Sequence, residues 1–183
     1  MNLMIAEYPE VSMGEPAGAG IALAGDPVAP VSPARLGQIV RGIAAQPGRW
    51  RPVVRFCAGE RWYARLSLAD PAAAFEVWLL SWLPGQQTGF HDHGDAVGAF
   101  AIADGELQES TARPGRSQVR SRVLGAGTAR SFGAAYVHDV SNISAAPAVS
   151  VHAYSPPLAA MRRYELTSAG LTMTGIETSQ QSW

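Results

Sequence analysis

The stretch "HDHGDAVGAFAIADGEL" begins with two histidines one residue apart, His91 and His93. On a strand, side chains at i and i+2 share a face, with Cα atoms roughly 6.5–7 Å apart. Both imidazoles can then meet one ion while Asp92 points away. Neutral imidazoles suit a first-row divalent metal. Two histidines hydrogen-bonded or exposed at a strand end would give the same residues. A second row, Ser150, His152 and Tyr154 in "PAVSVHAYSPPL", alternates in the same way. It can pass hydrogen bonds from a hydroxyl through an imidazole to a phenol, or it can be a packed tyrosine beside a satisfied core histidine. In "RWYARLSL" Tyr63 and Arg65 share a face. The guanidinium fork of Arg65 matches a carboxylate, although it is one of fourteen arginines and a surface position is the alternative.

The composition narrows the chemistry. The chain of 183 residues has 14 basic side chains, all arginine, and no lysine. Schiff-base chemistry and the lysine-dependent phosphate loop are therefore excluded. One cysteine, Cys57, excludes an internal disulfide and any thiolate-rich metal site. A formal net charge of −1 leaves no electrostatic footprint for nucleic acid or an anionic membrane. No apolar run approaches the roughly 18–20 residues that span a bilayer. The first residues lack a basic segment followed by an apolar block, so the expected location is cytoplasmic.

Residues 1–30 are rich in Gly, Ala and Pro and read as a loose lead-in to a single domain over 31–183. "SPARLGQIVRGIAAQPG" predicts one helix. Ser32 caps it, Pro33 lies in its first turn, Leu36, Ile39, Val40 and Ile43 recur at helical spacing, and Pro47 and Gly48 end it. From about residue 52 the chain breaks into short β-rich runs separated by Gly and Pro: "VVRFC", "RWYARLSL", "FEVWLLSW", "GAFAIA", "ELQESTA", "QVRSRVL", "TARSF", "AAYVHDV", "AVSVHAYS" and "RYELTS". That pattern predicts an all-β antiparallel sandwich or barrel behind an N-terminal helical segment.

The His-x-His run and the later "GTARSFGAAYVHDVSN", with His138 and Asn142, resemble the two short motifs of the cupin superfamily, a small jelly-roll-like β-barrel. The usual glutamate ligand of the first motif would fall at Val97 or Gly98, so the carboxylate is missing. Asp95 has the parity to replace it only if the strand continues. Three imidazoles would remain, and by ligand type they suit zinc or ferrous iron.

Taken together, "YAR", "PGQQTGFHDHGDAVGAFAIADGELQES", "VHDVSN" and "PAVSVHAYSPP" resemble the cysteine dioxygenases, a thiol dioxygenase family, over about residues 50–165. The resemblance implies a mononuclear Fe(II) held by His91, His93 and His138. It gives His152 the task of orienting Tyr154, with Ser150 behind, and gives the substrate carboxylate to Arg65 with Tyr63 in support. The position that carries a tyrosine-crosslinking cysteine in mammalian members is Gly98, so no Cys–Tyr cofactor is expected, and Cys57 is expected to be buried. The implied reaction joins dioxygen to L-cysteine to give cysteine sulfinate, with no nucleic acid or membrane partner and a monomer favoured.

A close alternative is a dioxygenase for 3-mercaptopropionate. Members with that preference carry glutamine at the position of Arg65 and a later arginine that matches Met161. Here Arg65 and Met161 both favour cysteine, and Arg162 and Arg163 stand next to the second position. A non-enzymatic metal-binding cupin has no use for the Ser-His-Tyr row. A zinc hydrolase would need Asp95 or Asp139 as general base.

Overall fold

The computed structural model describes residues 29–67 and 74–178, so nearly all of the expected lead-in, residues 1–30, lies outside the described residues. Helix α1 spans Pro33–Ala44, and the Ser32 hydroxyl accepts from the Arg35 amide at 3.3 Å. Pro47 does more than stop it. A proline suits a first helical turn, and a short second helix, α2, runs Pro47–Trp50.

Eleven strands follow: β1 (Tyr63–Leu66), β2 (Glu76–Trp82), β3 (His91–Asp92), β4 (Val97–Asp104), β5 (Glu106–Thr111), β6 (Arg120–Gly125), β7 (Ala129–Phe132), β8 (His138–Ser141), β9 (Ala148–Ser155), β10 (Ala160–Thr167) and β11 (Gly170–Thr178). They form two antiparallel sheets, ordered β1-β2-β9-β4-β7 and β11-β10-β3-β8-β5-β6. This is the all-β cupin architecture with one N-terminal helix of any length.

Strand β9 shows why the five-stranded sheet reads as continuously apolar. All eight of its residues are buried, because the sheet is covered on both faces. Val149, Val151 and Ala153 pack with Val77, Leu79, Ala99 and Ala101 against Leu36, Val40 and Ala44 of α1. The alternate residues of β9 and β4, among them Tyr154, Phe100 and Ile102, face the barrel interior with Trp82, Leu107, Leu124, Phe132 and Val140. Gly37 lets the helix lie this close to the sheet. A β-carbon there would run into the Ser131 hydroxyl of β7.

Three expectations need correction. "VVRFC" forms no strand, and Val53 and Phe56 are exposed. Cys57 in the same segment is exposed, not buried, because that segment pairs with neither sheet and only Val54 packs on the core. The third concerns β11, which no apolar run announces. It buries only Gly170 and Leu171, and its backbone pairing with β10 from Ala160↔Thr178 to Thr167↔Gly170 holds it in place.

Candidate metal centre and cavity

Strand β3 is only two residues long. The Asp92 carboxylate accepts from the Gly94 amide at 2.9 Å, and Gly94 adopts φ +62, which turns the chain out of the sheet. The expected convergence survives this turn. His91 lies directly across from His138 of β8. The ligating nitrogens of His91, His93 and His138 all fall within 4.8 Å of one another, and all three residues are buried. Asp92 points away and binds the Tyr164 hydroxyl at 2.7 Å and Arg162 at 3.3 Å. Burial, followed by the hydrogen bond to Asp92, pushes the Tyr164 phenol up to about 12. Asp95 is fully exposed and takes no part in the cluster.

Hydrogen bonds fix which nitrogen each ring presents. His91 Nδ1 lies 2.9 Å from the Gly89 carbonyl, which can only accept, so Nδ1 carries the proton and Nε2 the lone pair. His138 Nδ1 likewise donates to Glu109 Oε1 at 3.2 Å. His93 Nε2 is buried with no hydrogen-bond partner. An unsatisfied buried nitrogen beside two other inward lone pairs is costly in a protein alone and is satisfied by a cation. The donor set therefore fits a divalent metal. Burial first, then the neighbouring imidazoles, holds His91 and His93 well below the usual histidine value, which keeps them neutral and able to ligate.

Glu109 is a site residue that the sequence reading missed. It is fully buried and receives His138, the Tyr136 hydroxyl at 3.0 Å, and the Arg122 and Arg130 guanidiniums at 3.6 and 3.4 Å. Burial alone would raise its carboxyl. The hydrogen bonds from His138 and Tyr136 and the Arg130 charge outweigh it and hold the group below the usual range. Its only signal in the sequence was a charge in the middle of the β5 pattern.

The Ser-His-Tyr row is joined as its alternation predicts. Ser150 Oγ lies 2.8 Å from His152 Nε2, and His152 Nδ1 lies 3.2 Å from the Tyr154 hydroxyl. The Trp82 indole, which can only donate, reaches Ser150 Oγ at 2.9 Å. Ser150 and Tyr154 thus hold opposite nitrogens of one buried imidazole, which fixes the ring against the phenol. Burial raises the Tyr154 phenol, so it stays protonated at neutral pH. Trp82 had no functional signal in "FEVWLLSW", where it reads as core.

These groups border one cavity. His91, His138, His152 and Tyr154 line it together with Tyr63, Trp78, Leu158, Met161, Arg61 and Arg163. His93 lies between the rings of Tyr154 and Phe132, at 4.5 and 5.2 Å. Arg65 does not line the cavity. It is paired with Glu76 at 3.4 Å, and its side chain is 59% exposed. Arg61, not singled out in the sequence, is the more buried cation. It stacks on Trp82 at 4.8 Å, donates to the Gln87 carbonyl at 3.0 Å, and leaves Nε without a partner. Arg163 donates to the Thr88 carbonyl and pairs with Glu177 at 2.6 Å, whereas Arg162 turns to Asp92. Asp139 accepts from the Thr88 hydroxyl, and no carboxylate lines the cavity among the described residues. Asn142 is structural, donating to the Trp82 and Ala146 carbonyls.

Gly98 stands over the same site. A β-carbon there would lie 2.5 Å from the Phe132 ring and 3.0 Å from the Tyr154 ring. Phe132 is buried and stacks on Tyr136 at 5.0 Å, so the ring has little freedom to retreat. Gly98→Ala is expected to destabilise the fold by about 1–3 kcal/mol through overpacking. Urea midpoints would read the loss, and Phe132→Leu in the same chain should restore most of it. An unchanged midpoint in the single variant would show that the ring yields freely.

The described residues contain no helix long and apolar enough to cross a membrane. Among curated proteins, a zebrafish (Danio rerio) cysteine dioxygenase type 1 is 26% identical over 136 residues, covering 69% of this chain and 67% of that protein. Among solved structures, the protein TT1209 from Thermus thermophilus aligns with a TM-score of 0.50 at 20% identity, over 58% of this chain and 93% of that one. A double-stranded β-helix protein from Klebsiella pneumoniae aligns at 0.49 and 18% identity, over 68% and 93%. At 20% identity the likeness to TT1209 speaks for the fold alone. The sequence itself carries the family, since the model for cysteine dioxygenase type I matches residues 34–167 and so spans both histidine motifs and the Ser-His-Tyr strand. With most of its length under that match and three histidines gathered where a metal can sit, the chain belongs to the cysteine dioxygenase type I family of the cupin superfamily.

Proposed function

We propose that the protein is a thiol dioxygenase that oxidises L-cysteine to cysteine sulfinate, with Fe(II) held by His91, His93 and His138. The carrying observation is the pairing of three inward imidazoles with a phenol that lines the same cavity. Ferrous iron, when bound, supplies the chemistry that joins dioxygen to the thiol sulfur. The chain's own residues prepare that reaction. Glu109 and the Gly89 carbonyl fix the tautomers of His138 and His91. Trp82, Ser150 and His152 hold the Tyr154 hydroxyl in the cavity wall, within reach of a bound substrate. Trp78, Leu158 and Met161 keep the cavity wall apolar. With no carboxylate in that wall among the described residues, a hydrolytic zinc site finds no general base there. A cytoplasmic place in cysteine metabolism belongs to this reading.

Resemblance to the family gives the substrate carboxylate to Arg65 with Tyr63. In this chain Arg65 is paired with Glu76 and does not line the cavity. Arg61 already lines the cavity beside Tyr63 and meets no carboxylate within ion-pair distance among the described residues. We therefore assign the carboxylate to Arg61. Arg61→Ala is expected to lower kcat/KM for L-cysteine about 10–100-fold, mostly through KM, the effect of losing a charge-assisted bond. A larger loss in Arg65→Ala would return the role to Arg65.

Arg163 favours a second reading. It shares the cavity with Met161, so a cation is present on the side where 3-mercaptopropionate enzymes carry one. Anaerobic loading with Fe(II), followed by oxygen uptake with L-cysteine and 3-mercaptopropionate in parallel, separates the two. Faster uptake with cysteine, with sulfinate formed in step with dioxygen, supports the proposal. Preference for 3-mercaptopropionate would transfer the site to that thiol, and no uptake by iron-loaded protein would end the dioxygenase reading.

A further inference from the structure

A second concavity of about 780 Å3 has a different character. The segment "ARPGRSQVRSR" and the end of β7 bring five arginines to its wall: Arg113, Arg116, Arg120, Arg122 and Arg130. No Asp or Glu lines it among the described residues. Arg122 and Arg130 lean on one carboxylate, Glu109, which is fully buried behind them. Arg113, Arg116 and Arg120 meet no carboxylate within ion-pair distance among the described residues.

Five guanidiniums against one carboxylate is an unusual concentration for a chain whose formal net charge is −1. Like charges gathered in a concave wall repel one another, and the low-dielectric surroundings focus their field outward. A bound anion relieves that repulsion. The residue type is also informative. Arginine forks pair bidentately with planar and tetrahedral oxyanions, and the Ser117 hydroxyl and Gln118 amide stand in the same wall. Its volume lies in the range of small-molecule sites rather than extended polymer grooves. Glu109 is shared between this wall and the metal ligand His138.

We propose that this concavity is a binding site for a small diphosphate-bearing anion, separate from the thiol cavity. Free diphosphate and the diphosphate of a nucleotide share the recognised chemistry. Calorimetry on the full-length chain without metal or thiol, at about 150 mM salt to suppress diffuse attraction, tests it with inorganic pyrophosphate and with ADP. Saturable one-to-one binding of pyrophosphate that weakens at least tenfold in Arg113→Ala/Arg116→Ala supports the site. Tighter binding of ADP would assign the nucleotide as source. Equal binding by the double variant, or no saturable binding of either anion, overturns the proposal. So would a single-stranded oligonucleotide that binds more tightly than both and depends on the same arginines, which would make the wall a nucleic-acid surface. Because neither iron nor thiol takes part, failure here leaves the dioxygenase reading untouched.

Discussion

His138→Ala is expected to leave the purified protein unable to retain iron and without measurable oxygen uptake. The imidazole lies across from His91 and is one of three inward donors. A site reduced to two neutral nitrogens holds a divalent ion far less tightly. Glu109→Gln gives the graded companion result. It keeps a hydrogen-bond acceptor for His138 Nδ1 but removes the charge, and loss of such an outer partner weakens metal affinity roughly 10–100-fold. Metal content after dialysis against a weak chelator, with circular dichroism as the check on folding, reads both. Full iron occupancy in His138→Ala would remove that residue from the centre. Equal loss in both variants would mean that Glu109 matters as much as a ligand.

The metal-free protein is expected to lose stability steeply as pH falls below 6.5. His91, His93 and His152 are fully buried, and each is held well below the ordinary histidine value of 6.5, chiefly by burial. In the unfolded chain they titrate near that ordinary value, so below it the unfolded state binds protons that the folded state refuses. The penalty is absent above pH 6.5 and grows as pH falls through the window beneath it. Each such histidine contributes a slope of about 1.4 kcal/mol per pH unit, so three approach about 4 kcal/mol per pH unit. Urea midpoints between about pH 7.5 and 5.5 measure the slope. His152→Gln should reduce it by about a third, since one of the three titrating groups is gone. A flat profile would mean that the native state accepts the protons.

The chain's own pattern was sufficient for helix α1, for most strands, and for the pairing of residues that share a strand. Alternation is a local property, so Ser150, His152 and Tyr154 could be placed in one row, and His91 with His93 on one face, before any neighbour was known. Ser32 and Pro33 marked the start of α1 for the same reason, since caps act within a few residues. Strand β11 escaped because its stability comes from pairing with β10 and hardly at all from burial of its own side chains. The long-range groups of the site could not be read locally. Glu109 meets His138 across 29 positions of sequence, and Trp82 meets Ser150 across 68.

The sequence by itself determined the family, the three histidines and the phenol, because ligand spacing and motif order are written along the chain. Which arginine lines the cavity was decided only by the tertiary structure. Arg61 and Arg65 lie four residues apart near one strand, and nothing local separates them. Packing does, because Trp82 offers a ring beneath Arg61 and Glu76 a carboxylate to Arg65. A charged side chain goes where its desolvation is best offset, and only the folded neighbours set that balance.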